Sequence, residues 1–127
     1  MSEIKFFICE HCGNLVGMIH DTEVPLVCCG QKMKQLIPGT VEASVEKHVP
    51  VATAKGNLVK VTVGSAEHPM TEEHLIQWVY LQTSSGGQRK TLAPDVAPTV
   101  TFALTEDEQP IAVYSYCNLH GLWKATI

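Results

Sequence analysis

The chain has 127 residues, of which 45% are apolar and 17% charged, and its formal net charge is −4. This length allows one ordinary hydrophobic core and a small appended module. The scattered Lys and Arg residues form no basic stripe, which argues against nucleic acid as a partner, and no apolar run reaches the roughly 20 residues of a membrane span. The N-terminus lacks a basic segment followed by a long apolar run, so we expect a cytoplasmic location, where paired cysteines are more often metal ligands than disulfides.

The first 37 residues carry four of the five cysteines, in two close pairs: Cys9 and Cys12, then Cys28 and Cys29. Four thiolates suit a closed tetrahedral metal site, and so short a module would depend on its metal for folding. The adjacent positions of the second pair predict a distorted tetrahedron, and the spacing alone leaves zinc and iron equally open. We expect His11 and His20 to be exposed rather than ligands.

A turn at Pro38-Gly39 predicts a domain boundary, with residues 1–37 on one side and 38–127 on the other. Apolar and polar residues then alternate in the way typical of strands in three runs: 59–63, 100–104 and 111–115. Turn-forming residues separate the β runs at 55–57, 84–87, 93–95 and 106–108. Six or seven short strands at this spacing predict a β-sandwich, and hence an all-β protein.

A second group of metal-ligating residues is spread over the sandwich: His48, His68, His74, Cys117 and His120. Each one alone has an ordinary structural explanation, such as a strand end or a buried thiol. Together they suggest a site, because Cys117 and His120 lie three residues apart across a tight turn and a sandwich brings distant strand ends together. Six residues separate His68 from His74, about 240° around an α-helix, so we expect mostly loop between them if both bind one metal.

Two kinds of metal site use a Cys-x2-His turn at the end of a β-sandwich. A blue-copper site needs one upstream histidine and usually an axial methionine after the last histidine. Here three histidines lie upstream and no methionine follows His120, so copper electron transfer fits poorly. Four imidazoles and one thiolate instead suggest a five-coordinate metal with one open position, where the thiolate increases the electron density on the metal.

These motifs resemble those of desulfoferrodoxin, the two-iron class of superoxide reductase. Cys9-x2-Cys12 with Cys28-Cys29 is similar to its desulforedoxin-type centre. The remaining motifs are similar to the catalytic centre of that family. They are Glu46-Lys47-His48-Val-Pro-Val51, His68-Pro-Met70, His74 and Cys117-Asn-Leu-His120-Gly-x-Trp123. The resemblance covers essentially the whole chain, with the motifs in the family's order.

The resemblance implies a small rubredoxin-like or desulforedoxin-like metal knuckle, residues 1–37, followed by a seven-stranded immunoglobulin-like sandwich, residues 38–127, in a homodimer. It also implies one-electron reduction of superoxide to hydrogen peroxide, with a rubredoxin-like electron donor. The cofactors would be one Fe(Cys)4 centre and one Fe(His)4(Cys) centre, with Cys117 as the axial ligand of the second. Glu46 and Lys47 would flank the open position as catalytic residues.

Two other functions agree with the same residues. An iron electron-transfer protein would have both centres but no fast reaction with superoxide. A zinc-knuckle binding module on a sandwich would be colourless, because Zn²⁺ thiolates do not absorb visible light as ferric thiolates do.

Overall fold

The computed structural model describes residues 3–127. The chain divides into two compact units, Met1–Ile37 and Pro38–Ile127. Almost all regular structure in both units is β, so the all-β fold predicted from the sequence is confirmed. Among the described residues, no helix is long and apolar enough to cross a membrane.

The N-terminal unit consists of five short strands: β1 (Phe6–Ile8), β2 (Leu15–Gly17), β3 (Val27–Cys28), β4 (Gln31–Lys32) and β5 (Lys34–Leu36). An antiparallel sheet has the order β2-β1-β5, and β3 and β4 form a separate hairpin. Phe6 and Cys9 are its buried apolar residues. Such a small core supplies little hydrophobic stabilisation, so this unit needs a further source of stability.

The C-terminal unit begins with a one-turn helix, α1 (Val45–His48), followed by seven strands. The strands are β6 (Pro50–Lys55), β7 (Leu58–Val63), β8 (Ile76–Thr83), β9 (Gly86–Thr91), β10 (Thr99–Ala103), β11 (Pro110–Cys117) and β12 (Gly121–Thr126). One antiparallel sheet has the order β10-β7-β6 and the other β12-β11-β8-β9. These are the two layers of a seven-stranded sandwich.

The core of the sandwich forms where the alternating apolar residues of both sheets face inward. It includes Val59, Val61, Val63, Val79, Leu81, Val100, Phe102 and Val113. Strand β11 lies in the middle of its sheet and is buried on both faces, since Tyr114 and Tyr116 are buried as well as Val113. Trp78 of β8 stacks on Tyr116, with ring centroids 5.5 Å apart.

The register of the strands brings several strand termini together at one end of the sandwich. Pro50 at the start of β6 pairs with Val63 at the end of β7. Cys117 at the end of β11 pairs with Gly121 of β12 and Ile76 of β8. Cys117 is the last residue of β11, His48 the last residue of α1, and the other three metal-ligating residues lie on loops and turns next to these ends. Residues 68–75 contain neither helix nor strand, as expected for a loop holding two ligands.

Candidate metal centres

The four N-terminal thiols form one compact cluster, with all sulfur atoms within 4.8 Å of one another. The Sγ atoms of Cys12 and Cys28 are 3.6 Å apart, and those of Cys28 and Cys29 are 4.0 Å apart. Bonds of about 2.3 Å in a regular tetrahedron would place sulfur atoms roughly 3.8 Å apart. The cluster therefore has the size of a tetrahedral thiolate site whose angles are slightly uneven.

The chain turns sharply at each cysteine pair, and at the first pair backbone N–H groups point at the sulfurs. The N–H of Cys12 donates to Cys9 Sγ at 3.5 Å, and the N–H of Asn14 donates to Cys12 Sγ at 3.4 Å. The turns need positive φ, which Gly13 provides at 84° and Gly30 at 72°. The side-chain Nδ2 of Asn14 also donates to Cys28 Sγ at 3.7 Å, a contact that the cysteine spacing alone did not predict.

The acidities of Cys9, Cys28 and Cys29 show why this cluster needs a cation. The backbone N–H of Cys12 holds the pKa of Cys9 down to about 6. The neighbouring cysteines raise the pKa of Cys28, and they raise that of Cys29 to about 12. One thiolate therefore forms readily, while a full set of four requires a bound positive charge.

The second cluster brings together the four histidines and the cysteine of the sandwich. Their ligand atoms all lie within 4.8 Å of one another: those of His48, His68, His74, Cys117 and His120. The imidazole rings form a closed square in which each ring is nearly perpendicular to its two neighbours, with centroids 4.6 to 5.1 Å apart. His48 Nε2 lies 3.1 Å from both His68 Nε2 and His120 Nδ1. Adjacent ligands of a square with bonds of about 2.1 Å lie roughly 3.0 Å apart, so the square has the size of a metal's equatorial plane.

The protonation of two rings is fixed by carbonyl groups on their outer sides. His48 Nδ1 lies 2.7 Å from the carbonyl oxygen of Ser44, and His68 Nδ1 lies 2.6 Å from that of Pro69. A carbonyl only accepts hydrogen bonds, so both Nδ1 atoms carry the proton and both Nε2 atoms present a lone pair. Two lone pairs facing each other at 3.1 Å repel unless a cation lies between them. His74 Nε2 is likewise buried without a hydrogen-bond partner.

Burial keeps these imidazoles neutral, which is the form that binds metals. It lowers the pKa of His68 to about 4, and it also lowers the pKa values of His48 and His74. The donor set, its lone pairs and its size therefore fit a transition-metal ion with four equatorial nitrogens.

Cys117 is the fifth donor and is fully buried in the hydrophobic core. Its Sγ lies 3.8 Å from His120 Nδ1. Burial raises the pKa of this thiol, whereas the backbone N–H groups of Leu119 and His120 lower it. A metal cation would complete the stabilisation of the thiolate, and the turn already provides N–H donors for it.

Three contacts, one aromatic and two polar, support His48 and His120. Trp123 stacks on His48 at a centroid distance of 5.0 Å, and its Nε1–H donates to the carbonyl oxygen of His120 at 3.0 Å. The Ser115 hydroxyl donates to the carbonyl oxygen of His48 at 2.8 Å. Ser115 faces inward in the predicted alternation, but its bond to the residue 67 positions earlier could not be predicted from the sequence.

Glu46 and Lys47 lie on α1, next to the metal-ligating His48, and both are exposed. The Lys47 charge contributes to the lowered pKa values of His48 and His74, so its ammonium acts electrostatically on the cluster. The Glu46 carboxylate is not among the five groups of the cluster. Its own backbone N–H holds the pKa of the Glu46 carboxyl below its ordinary value, so this group stays ionised at neutral pH.

The structure thus brings all nine sequence-predicted ligand residues together in two clusters, and it leaves His11 and His20 exposed and outside both. It also adds Asn118, which the sequence showed only as a spacer between Cys117 and His120. Its side chain bonds to backbone groups on either side of His74.

Comparisons with known proteins agree over nearly the whole chain. The family model described as "Desulfoferrodoxin" matches residues 40–126, and "Desulfoferrodoxin, N-terminal domain" matches residues 2–36. The desulfoferrodoxin of Nitratidesulfovibrio vulgaris is 43% identical over 124 residues, which are 98% of this chain and 97% of the relative. The superoxide reductase of Pyrococcus horikoshii is 38% identical over 96 residues, covering 62% of this chain and 84% of the relative.

A solved structure matches both units. The crystal structure of the superoxide reductase from Treponema pallidum has a TM-score of 0.82 and 41% sequence identity, and the match covers 98% of each chain. The family models cover far more than half of the sequence. This chain therefore belongs to the desulfoferrodoxin family.

Proposed function

We propose that this protein is a superoxide reductase, which converts superoxide to hydrogen peroxide by adding one electron and two protons. The observation that carries the proposal is the square of imidazoles with converging lone pairs above a buried thiol. A metal ion that takes six ligands would be held by these five donors and would still be able to bind one small ligand. The names of the relatives from Pyrococcus horikoshii and Treponema pallidum support the same activity.

Each unit carries one iron in this proposal. Residues 1–37 form the desulforedoxin-like domain, with iron held by Cys9, Cys12, Cys28 and Cys29. Residues 38–127 form the catalytic domain, in which iron would be held by His48, His68, His74, His120 and Cys117. The compact units and the two family-model matches support this division. When bound in the second site, ferrous iron supplies the single electron, and the thiolate favours its release.

Lys47 attracts the substrate. A ferrous ion with one thiolate and four neutral imidazoles carries a net charge of +1, and the Lys47 ammonium adds a second positive charge on the exposed turn beside it. This local positive field opposes the formal net charge of −4 of the chain. Small anions respond to the field at the mouth of a site more than to the distant surface.

Lys47 and Glu46 also control what enters the open position. The Lys47 ammonium can hold a water molecule whose protons complete the peroxide product. The Glu46 carboxylate, ionised at neutral pH, can cover the open position in the oxidised resting protein. Both side chains are exposed on a single turn, which leaves them free to move toward the site.

The turnover of a reductase requires an electron from outside, and a rubredoxin-like protein is the donor in this proposal. We also propose a homodimer, since the exposed apolar side chains of Ile19, Val24 and Val27 would gain from cover by a second copy. A cytoplasmic location fits the five cysteines, all of which are free thiols.

Pulse radiolysis of the anaerobically reduced, iron-loaded protein tests this function. Superoxide should oxidise the histidine-ligated iron in a rapid second-order reaction, and a Cys117→Ser variant that retains its N-terminal iron should lose that reaction. If the wild-type iron in the second site were oxidised no faster by superoxide than by dioxygen alone, the protein would be an electron carrier rather than a reductase.

A further inference from the structure

His74 differs from two of the other histidines in how it is held. The outer nitrogens of His48 and His68 are fixed by carbonyl groups. Among residues 3–127, the structure shows no hydrogen bond from the His74 ring, whose Nε2 is buried without a partner. His74 also lies on an irregular segment, with exposed residues at 71–73 and no strand until Ile76. Its ring can be oriented only if the backbone that carries it is fixed.

The side chain of Asn118 fixes this backbone on both sides of His74. Asn118 Nδ2 donates to the carbonyl oxygen of Glu73 at 2.8 Å, and the N–H of Leu75 donates to Asn118 Oδ1 at 3.0 Å. The backbone N–H of Asn118 adds a bond to the carbonyl oxygen of Leu75 at 3.3 Å. A carboxamide offers a donor and an acceptor together, so it can pair with the segment much as a neighbouring strand would.

Thr71 completes the hydrogen bonding of the segment. Its N–H donates to the carbonyl oxygen of His74 at 2.9 Å, and the N–H of His74 donates to Thr71 Oγ1 at 3.1 Å. The backbone groups from the carbonyl of Glu73 to the N–H of Leu75 are therefore all paired. Among the hydrogen bonds of residues 3–127, those of Asn118 connect this segment to the turn that carries Cys117 and His120.

We propose that Asn118 is a positioning residue that fixes His74 relative to the sulfur of Cys117 and the imidazole of His120. Asn118 thereby holds the His74 corner of the square in a fixed position relative to the turn that supplies two of the other four ligands, Cys117 and His120. This inference rests on the proposed ligand set and thus on the proposed function. It adds a role for a residue that does not itself touch the metal.

The test is a double-mutant cycle on the full-length, iron-loaded protein. The affinity of the second site for ferrous iron is measured anaerobically by equilibrium competition with a chelator, while the N-terminal iron is followed by its own absorption. Asn118→Ala should lower the affinity by about 10- to 100-fold, as loss of a ligand-orienting contact does. Gln88→Ala, which removes a carboxamide bond to the carbonyl oxygen of Ala103 elsewhere in the sandwich, should leave it unchanged.

The second arm of the cycle separates positioning from general stability. If Asn118 acts through His74, adding Asn118→Ala to His74→Ala should change the affinity by less than about twofold, because the interaction is already lost. Additive losses in the double variant would overturn the proposal, as would a wild-type affinity in Asn118→Ala alone. If Asn118→Ala does not fold, the same cycle is measured with Asn118→Asp, and the same outcomes support or overturn the proposal. This variant keeps the oxygen that accepts from the Leu75 N–H but loses the N–H that donates to the carbonyl oxygen of Glu73.

These outcomes are distinct from failure of the proposed function. A wild-type protein whose second site bound ferrous iron without any dependence on His74 would contradict the ligand set itself. A wild-type protein that required His74 and reacted with superoxide, alongside an Asn118→Ala variant of unchanged affinity, would overturn only the role of Asn118.

Discussion

Backbone groups around the proposed ligands determine which of their atoms face the metal. The carbonyl oxygens of Ser44 and Pro69 accept hydrogen bonds from the Nδ1–H groups of His48 and His68. The Nε2 atoms of both rings therefore present lone pairs to the site. The N–H groups of Leu119 and His120 favour the thiolate of Cys117 against the effect of its burial. His48 and His68 are therefore already in their metal-binding form at neutral pH, whereas the Cys117 thiol, whose pKa burial raises above its ordinary value, must release a proton when a metal binds.

Lys47→Ala should slow the second-order reaction with superoxide by about tenfold and flatten its dependence on ionic strength, because a steering charge next to the site is lost. Rates at several salt concentrations check this. Lys60→Ala, which removes an exposed lysine from strand β7, should leave both the rate and its salt dependence unchanged.

Glu46→Ala should leave the encounter with superoxide nearly unchanged but alter the absorption spectrum of the oxidised resting protein, because a carboxylate that covers the open position is removed. Equal slowing of the reaction by Glu46→Ala and Lys47→Ala would show that the two residues do not have the separate roles proposed for them.

Helix α1 has only one turn, so its position depends on the loop against which it packs. The carbonyl oxygen of Glu46 accepts hydrogen bonds from the N–H of Ala66 at 2.8 Å and from the Ser65 hydroxyl at 3.3 Å. A Cβ atom added to Gly64 would lie 2.5 Å from that same carbonyl oxygen and 2.9 Å from that of Val49. The absence of a side chain at position 64 thus allows the turn carrying Glu46 and Lys47 to sit close to strand β7.

Gly64→Ala should displace this turn, slow the reaction with superoxide and lower the free energy of unfolding by about 1–3 kcal/mol, the usual cost of overpacking. Rate measurements and urea unfolding check both effects. Ser65→Ala removes only a hydrogen bond from the same loop and should give a smaller change in each; a larger effect of Ser65→Ala would contradict the steric explanation.

Glu108 holds together two loops of the sandwich that contribute no metal ligand. Its carboxylate accepts hydrogen bonds from the hydroxyls of Thr83 at 2.6 Å and Ser85 at 3.3 Å, and from the N–H of Thr105 at 3.3 Å. The Thr83 hydroxyl is the main cause that lowers the pKa of Glu108 from its ordinary value of 4.5. The stabilisation that these hydrogen bonds provide is therefore complete above about pH 4.5. It is lost as the pH falls through the lower pKa that Glu108 has in the folded protein.

Glu108→Gln should weaken this pH dependence, because an amide accepts the Thr83 bond but does not titrate in this range. From pH 7 down to about pH 3, a range that extends below the ordinary carboxyl pKa, the melting temperature of the variant should fall less than that of the wild type. Any loss of metal at low pH affects both proteins, so the difference between them isolates Glu108. Parallel curves would show that its hydrogen bonds do not depend on its charge.

The two units depend on different sources of stability. The sandwich has a core of buried apolar residues from both sheets, whereas the N-terminal unit buries little besides Phe6 and Cys9. Binding of a metal that is absent from the unfolded state contributes directly to folding. The N-terminal unit should therefore fold only with its metal, and the sandwich should not share this dependence.

Cys12→Ser should abolish the N-terminal iron centre and unfold that unit, while the second centre still reduces superoxide at close to the wild-type rate. Metal analysis, circular dichroism and pulse radiolysis on one preparation check the three parts. His11→Ala changes an exposed residue of the same loop and should have no effect. Loss of the superoxide reaction in a Cys12→Ser protein that retained its second iron would show that the centres are not independent.

Much of this arrangement could be predicted from the sequence, because cysteine and histidine spacing and apolar alternation are local signals. The strand around Val59, Val61 and Val63 is confirmed, as is the sandwich to which it belongs. Helix α1 was not predicted, since four residues carry no periodic pattern. The Asn118 bonds were also missed because they join positions 43 and 45 residues apart, and only strand pairing reveals such contacts.

The balance of products formed from superoxide tests the central claim most directly. Reduced, iron-loaded protein should consume about one superoxide per histidine-ligated iron, form one hydrogen peroxide and release almost no dioxygen, because the reaction adds an electron and does not remove one from a second superoxide. Further turnover should require an added reductant. Sustained consumption without a reductant, with dioxygen and peroxide formed in nearly equal amounts, would contradict the account and indicate dismutation.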